Sequence, residues 1–141
     1  MLPHAGPGGR RRAGIGATAR VGAHDVRLYS LHAETRIPMG KKMEQLGAAL
    51  EDLKRYPQIR RAVVLGDFNT IKAKDVEGAR RVFTKADFMT PFADDRATWK
   101  TLIFELKLDG FWLRGMEPTA SGIVRRIKLS DHWPLWATVK L

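Results

Sequence analysis

The 141-residue sequence contains no cysteine, which excludes disulfide bonds, thiolate zinc sites, iron–sulfur clusters and cysteine nucleophiles. This absence fits a reducing compartment, and we expect a cytoplasmic protein. Long hydrophobic runs are also missing, because stretches such as residues 62–65 are far shorter than the roughly 20 apolar residues that cross a bilayer. We therefore expect no transmembrane segment.

Acidic residues are scarce: 15 Asp and Glu face 25 Lys and Arg, giving a formal net charge of +10. The excess either serves solubility alone or attracts a polyanion, since Lys and Arg release counterions from phosphate backbones. With 44% hydrophobic and 28% charged residues, the composition is typical of a folded globular protein. The length predicts one domain. We assign residues 1–9 to a flexible, Pro/Gly-rich basic tail and residues 10–141 to that domain.

Alternating strand and helix patterns follow the tail. Helices are predicted from Pro38 to before Pro57 and over residues 75–83. Strands are predicted at residues 12–21, 26–32, 61–66, 106–113, 123–127 and 135–141. The strand at residues 61–66 is apolar on both faces, which is typical of a central strand. About six strands and two helices indicate an α/β or α+β layer structure.

Polar side chains follow the predicted central strand. In the segment Gly66-Asp67-Phe68-Asn69-Thr70, a carboxylate and an amide stand two residues apart at a strand's carboxyl end, where α/β sheets place their sites. An Asx-type turn is the alternative explanation, since Gly, Asp and Asn all favour turns.

Three further positions are candidates. Asp131 and His132 are adjacent in a predicted turn. They could supply an oxygen ligand and an imidazole to a phosphate or metal, or they could simply form a polar turn. Asp109 has apolar neighbours and needs a partner such as a histidine, unless it lies at an exposed strand start. His32 ends a strand, where a structural role is the alternative. Trp112 and Trp136 are predicted core residues, whereas Trp133 is the tryptophan expected to contact substrate.

Taken together, these segments form an ordered set. The sequence has Leu-His at 31–32, Val-Val-Leu-Gly-Asp-Phe-Asn-Thr at 63–70, Leu-Asp-Gly-Phe-Trp at 108–112 and Ser-Asp-His-Trp-Pro-Leu at 130–135. This order resembles the endonuclease/exonuclease/phosphatase superfamily of metal-dependent phosphoesterases. The resemblance covers residues 10–141 and implies the C-terminal half of a four-layer α/β sandwich, with a mixed, mainly antiparallel sheet and helices on one face.

The resemblance also implies roles for the residues that match. His32 contacts the scissile phosphate, Asp67 activates or positions the attacking water, and Asn69 orients water or phosphate beside it. These three are expected to be catalytic, and His32 and Trp133 to bind substrate.

The remaining implied roles concern His132 and the metal. His132 contacts phosphate, and Asp109 hydrogen-bonds its imidazole, so both are also expected to be catalytic. Asp131 joins Asp67 and Asn69 as a ligand of Mg²⁺, or of Mn²⁺, because such cations prefer oxygen donors. The implied activity is hydrolysis of phosphoesters, and the net charge of +10 favours nucleic acid as the substrate.

The resemblance leaves the first half of the family domain unmatched, including the glutamate that holds the principal metal. Gly110 departs from the larger residue usual after the aspartate of the third motif. We therefore expect a bare sheet face that pairs with a second copy in a homodimer or with a complementary N-terminal half. Two other functions stay open: a phospholipid or inositol-phosphate phosphatase, and a catalytically incomplete half-domain that acts as a binding or assembly module.

Overall fold

A computed structural model of the chain describes residues 14–92 and 96–141. The tail predicted at residues 1–9 lies outside the described residues. The elements, in chain order, are β1 (Ile15–Val21), β2 (His24–His32), α1 (Met39–Leu53), β3 (Arg61–Asp67), α2 (Ala73–Thr84), β4 (Trp99–Lys100), β5 (Glu105–Leu106), β6 (Asp109–Arg114), β7 (Glu117–Ile123) and β8 (Leu135–Lys140).

The main sheet has four strands in the order β1-β2-β3-β6. The pairs β1–β2 and β3–β6 are antiparallel, and β2–β3 is parallel, with α1 in the crossover. This confirms the α+β class and the mixed, mainly antiparallel sheet. The strands are distributed differently from the prediction, because β4–β5 and β7–β8 form separate two-stranded sheets.

Both helices cover one face of the main sheet. Their buried side chains form a core with the strand residues that face them: Leu46, Ala49 and Leu53 from α1, Ala79 and Phe83 from α2, and Tyr29, Leu31, Ala62, Val64 and Trp112 from the sheet. Helix α1 begins after Pro38, as predicted. Burial of these side chains, at about 25 cal/mol per Å² of apolar area, holds the helices to the sheet.

The opposite face of the sheet has a smaller core. Val26, Val63, Leu113 and Met116 are buried there, with Val139 of β8 packed against them. Strand β3 is thus covered on both sides, as its sequence predicts. Farther along this face, Ile15 is 64% exposed and Leu28 38% exposed. We call this side, which carries Ile15, Leu28, Leu65 and Phe111, the open face.

Two predicted strands have different bounds. The strand predicted at residues 106–113 is interrupted, because the amides of Leu108 and Asp109 both donate to Oγ1 of Thr98 instead of continuing a ladder. The strand predicted at residues 123–127 lies at a hairpin end. Strand β7 ends at Ile123, and its pairing with β8 uses the small and polar residues before it, which carry little apolar signal.

The two tryptophans predicted to be core residues behave differently. Trp112 is buried and stacks on Phe83, with ring centroids 5.0 Å apart. Trp136 is 45% exposed, so its prediction is wrong. Its indole lies over Gly122 on the paired strand, where a Cβ would come within 2.7 Å of the indole nitrogen.

A buried ion pair fixes α1 to the sheet. The Arg27 guanidinium donates to Oδ2 of Asp52 over 2.8 Å, and the Tyr29 hydroxyl donates to the same oxygen over 2.9 Å. Burial, which disfavours the phenolate, is the largest cause that raises the pKa of Tyr29 to about 12.

Both described helices fall short of the length and apolar content that a membrane crossing needs.

Candidate active site

Strand register brings three of the predicted site residues side by side. His32 is paired with Asp67 across β2–β3, and Asp67 with Asp109 across β3–β6. Directly paired residues point to the same face of a sheet, so these three side chains emerge together. The parallel strands β2 and β3 end at this edge and the antiparallel β6 begins there. The row lies on the open face.

The loop before β8 adds a fourth side chain. Oδ2 of Asp67 lies 3.4 Å from Nε2 of His32 and 3.9 Å from Nε2 of His132. Nδ1 of His132 lies 3.0 Å from Oδ2 of Asp109. Asp67 therefore stands between two imidazoles. Its side chain is 20% exposed and that of His32 is 53% exposed, so the cluster is open to a ligand from solvent.

The contact between Asp109 and His132 fixes the imidazole. Burial disfavours the imidazolium, but the hydrogen bond to Asp109 and the charges of Asp109, Asp67 and Asp131 outweigh it, so the pKa of His132 is raised. Burial also raises the pKa of Asp109, against hydrogen bonds to Thr98 and His132. His132 thus keeps its proton to a higher pH than an ordinary histidine, with Nε2 turned toward Asp67.

The loop after β3 is built around Asp67 and Asn69. Gly66 has φ +132°, and a Cβ there would collide with the Leu31 carbonyl oxygen, so only glycine fits. Asn69, at φ 50°, donates its backbone N–H to Oδ1 of Asp67 over 2.9 Å. Its side-chain amide donates to the Ala33 carbonyl over 2.8 Å. The Asx-type turn therefore exists, and it orients the Asp67 carboxylate within the cluster.

Asp131 has a partner of its own. Its Oδ2 accepts a hydrogen bond of 2.8 Å from Nε1 of Trp99, which is the largest cause of the lowered pKa of this exposed carboxylate.

Trp133 lines a groove beside the cluster. The Arg125 guanidinium carbon lies over its ring, 4.6 Å from the ring centroid. An open groove of about 390 Å³ runs from Asp109 and His132 past Trp133. A phosphoester bound at the cluster would lie at one end of this groove.

The donor set for a divalent cation is incomplete among the described residues. Asp67 and Asn69 offer oxygen atoms, but residues 14–92 and 96–141 hold no group of three or more His, Cys, Asp or Glu side chains that could bind a metal ion. The Mg²⁺ site with Asp67, Asn69 and Asp131 as ligands therefore stays a prediction.

Two supporting residues were not predicted from the sequence. Thr98, buried, holds the start of β6 through the amides of Leu108 and Asp109. Lys42, 2% exposed, donates to the Asn69 backbone carbonyl over 2.5 Å and lies 3.7 Å from Asp75. A signal for Lys42 existed, because it precedes the buried Leu46 by one helical turn on the apolar side of α1.

Gly110 follows Asp109 at the position where the family resemblance implies a larger residue. A Cβ added at position 110 would overlap the ring of Phe68, which packs against β6 here. Phe68 is buried and stacks on Phe83, with centroids 5.6 Å apart. The aromatic side chain beside Asp67 thus fills the volume that a side chain at position 110 would need.

Comparisons with models of protein families and with curated proteins find no match. Solved structures do match. TDP2 of D. rerio, complexed with single strand DNA product, shares 20% identity at a TM-score of 0.75, over 92% of this chain and 62% of that one. An endonuclease/exonuclease/phosphatase of Bacteroides vulgatus shares 19% identity at a TM-score of 0.75, over 93% of this chain and 56% of that one.

A more distant match is the mannosyl-6-phosphatase Bt3783 of Bacteroides thetaiotaomicron, with 14% identity and a TM-score of 0.62, over 85% of this chain and 53% of that one. The chain spans between 53% and 62% of the length of these three structures. At such identities the similarity is one of fold. The chain shares the fold of these three structures, one of them an endonuclease/exonuclease/phosphatase, over part of their length.

Proposed function

We propose that the cluster of His32, Asp67, Asp109 and His132 hydrolyses phosphoester bonds. The observation that carries this proposal is their convergence: three neighbouring strands each place one of these side chains in a single row, and His132 completes it. The similarity in fold to structures described as a phosphatase and as endonuclease/exonuclease/phosphatase proteins supports the same reaction class.

Each side chain has a chemical task in this proposal. Hydrolysis needs an oriented water, charge neutralisation on the non-bridging oxygens and a proton for the leaving oxygen. Asp67 orients and deprotonates the water. His132, kept protonated by Asp109, neutralises the developing negative charge and gives its proton to the leaving oxygen, and His32 contacts the phosphate from the other side of Asp67. Asn69 holds the Asp67 carboxylate through its backbone N–H.

We propose Mg²⁺ as the cofactor, with Mn²⁺ as a substitute, because Asp67, Asn69 and Asp131 carry the oxygen atoms that these ions prefer. Bound Mg²⁺ would supply Lewis-acid chemistry. Further ligands would have to come from outside the described residues, since those present form no complete donor group.

The substrate proposed first is nucleic acid, because a net charge of +10 attracts a phosphate backbone. A phospholipid or inositol phosphate is the second candidate, and an exposed apolar surface beside the site, described below, favours it. If neither is hydrolysed, the chain acts as a binding or assembly module.

The test of the proposed reaction is nicking of supercoiled plasmid in Mg²⁺, with EDTA as the blank. We expect the wild-type chain to nick and Asp67→Ala to lose at least 100-fold of the rate, since positioned proton transfer is worth about 10²–10⁴-fold. Glu51→Ala, at an exposed carboxylate on α1, is the matched control and should retain the wild-type rate. Equal nicking by wild type and Asp67→Ala would exclude the reaction at this site.

The open face supports a proposed partner: a second copy of the chain in a homodimer, or a complementary N-terminal half. Exposed Ile15 and Leu28 lie on the sheet side opposite both helices, and large apolar surfaces of this kind mark interfaces. Light scattering at micromolar concentration should give the mass of a dimer. The double variant Ile15→Ser/Leu28→Ser should give a monomer. A wild-type monomer would exclude self-pairing and leave the complementary half as the partner.

A further inference from the structure

The hairpin between β4 and β5 presents three large apolar side chains to solvent. Leu102 is 102% exposed, Ile103 79% and Phe104 61%. The turn itself is ordered by local hydrogen bonds: the Thr101 amide donates to the Phe104 carbonyl, and Oγ1 of Thr101 accepts from the Phe104 amide. Three consecutive apolar side chains held away from the core in this way indicate a binding surface.

A second loop with the same character adjoins this hairpin. The connection between β7 and β8 exposes Leu129 at 97% and Ile127 at 37%. Arg125 connects this loop to the β4–β5 hairpin. Its Nη1 lies 3.9 Å from a Glu105 carboxylate oxygen, and its Nη2 donates to the Ala97 carbonyl.

Basic side chains alternate with these apolar ones. Arg126 and Lys128, both exposed, flank Ile127 and precede Leu129. We call the set formed by the two loops the apolar-basic rim: Leu102, Ile103, Phe104, Arg126, Ile127, Lys128 and Leu129.

The rim is connected to the candidate site through the backbone. The Lys100 amide donates to the Asp131 carbonyl over 2.9 Å, and Trp99 forms an isolated bridge with His132. Trp99 also holds the Asp131 carboxylate. Both loops therefore begin or end at the site, and a surface bound by the rim would lie next to His132.

We propose that the apolar-basic rim docks on the surface of an anionic phospholipid bilayer. The apolar side chains of both loops enter the boundary between headgroups and acyl chains, while Arg126 and Lys128 pair with lipid phosphates. Aliphatic side chains dominate the rim, whereas surfaces that bind single-stranded nucleic acid depend on aromatic rings for stacking. Docking does not depend on the proposed hydrolysis. Only its consequence for the substrate, that a phospholipid headgroup would move ahead of nucleic acid, rests on the proposed function.

Vesicle flotation tests the docking. We expect the wild-type chain to float with vesicles of phosphatidylcholine and phosphatidylserine at least tenfold more strongly than with phosphatidylcholine alone, and salt to weaken this binding. The variant Leu102→Ser/Ile103→Ser/Phe104→Ser should lose at least tenfold, and Arg126→Gln/Lys128→Gln should lose the preference for anionic lipid. Met39→Ser/Ile71→Ser/Met89→Ser, which removes exposed apolar side chains outside both the rim and the open face, is the matched control and should bind as wild type.

Because the chain has no cysteine, a single dye can report insertion directly. An environment-sensitive dye on Ile103→Cys should shift to the blue with anionic vesicles, and the same dye on Val21→Cys should not. Asp67→Ala should float as wild type, which separates failure of hydrolysis from failure of docking.

Two results would overturn the proposal. One is equal flotation of the wild type and the Leu102→Ser/Ile103→Ser/Phe104→Ser variant. The other is the absence of vesicle binding by the wild-type chain; if that variant then also loses DNA binding, the rim is a nucleic-acid surface.

Discussion

Replacement of His132 by alanine is expected to lower phosphoester hydrolysis by about 10²–10⁴-fold, the usual worth of a positioned acid or base. The imidazole lies between Asp109 and Asp67 and is one-third exposed, so its removal takes away the charge near the substrate without opening the main core. The rate on plasmid or on an aryl phosphodiester measures the loss, and thermal unfolding monitors the fold. The melting temperature should remain within a few degrees of the wild type.

Two variants sharpen this experiment. His24→Ala makes the same change at the start of β2, at the opposite end of the strand from His32, and should keep full activity. Asp109→Asn should cause a smaller loss than His132→Ala, because it weakens the hold on the imidazole while leaving the ring in place. Its pH–rate profile should move to lower pH, since the carboxylate charge raises the pKa of His132. Unfolding of His132→Ala would make this residue structural and contradict the assigned role.

Replacement of Asp52 by alanine is expected to reduce the free energy of unfolding by about 3–5 kcal/mol, the range for breaking a buried ion pair from one side. The change leaves the Arg27 guanidinium, whose side chain is 10% exposed, without its carboxylate, and it removes an acceptor from Tyr29. Urea unfolding followed by circular dichroism measures the difference.

The neighbouring Glu51→Ala is the control, because its ion pair with Lys54 is exposed and such pairs contribute about 0–1 kcal/mol. Burial opposes ionisation of Asp52, but hydrogen bonds from Arg27 and Tyr29 outweigh it and lower its pKa. Its contribution to stability is therefore complete above the ordinary value of 3.8 and is lost as the pH falls below it. A loss under 1 kcal/mol for Asp52→Ala would show that Arg27 finds another acceptor.

The parts of the fold that follow from local pattern could be predicted from the sequence. The spacing of apolar residues predicts the buried side of α1, and the apolar residues on both faces of β3 predict that it is covered on both sides. The structure confirms both predictions. Strand β7 could not be found in this way. Its residues are small or polar, and it exists because β8 pairs with it, a contact between residues distant in sequence.

The candidate site, like the fold, could be predicted from the sequence only in part. The motifs indicated His32, Asp67, Asp109 and His132; strand pairing places the first three together, and the loop before β8 adds His132. Sequence alone could not place Asp109 at the first residue of β6, because the interruption before it depends on Thr98 from another loop. Nor could it show that Trp99 donates to the Asp131 carboxylate, since that contact depends on the bridge between Trp99 and His132, which are distant in sequence.

The row of paired residues at the ends of β2, β3 and β6 makes the site sensitive to insertions and deletions. Successive side chains of a strand point to opposite faces, so a one-residue deletion between Asp109 and Trp112 would turn either Asp109 toward the helices or Trp112 toward the open face. Length changes in the β4–β5 turn would leave that alternation intact. Homologous chains should therefore vary in length at this turn while the spacing from Asp109 to Leu113 stays constant.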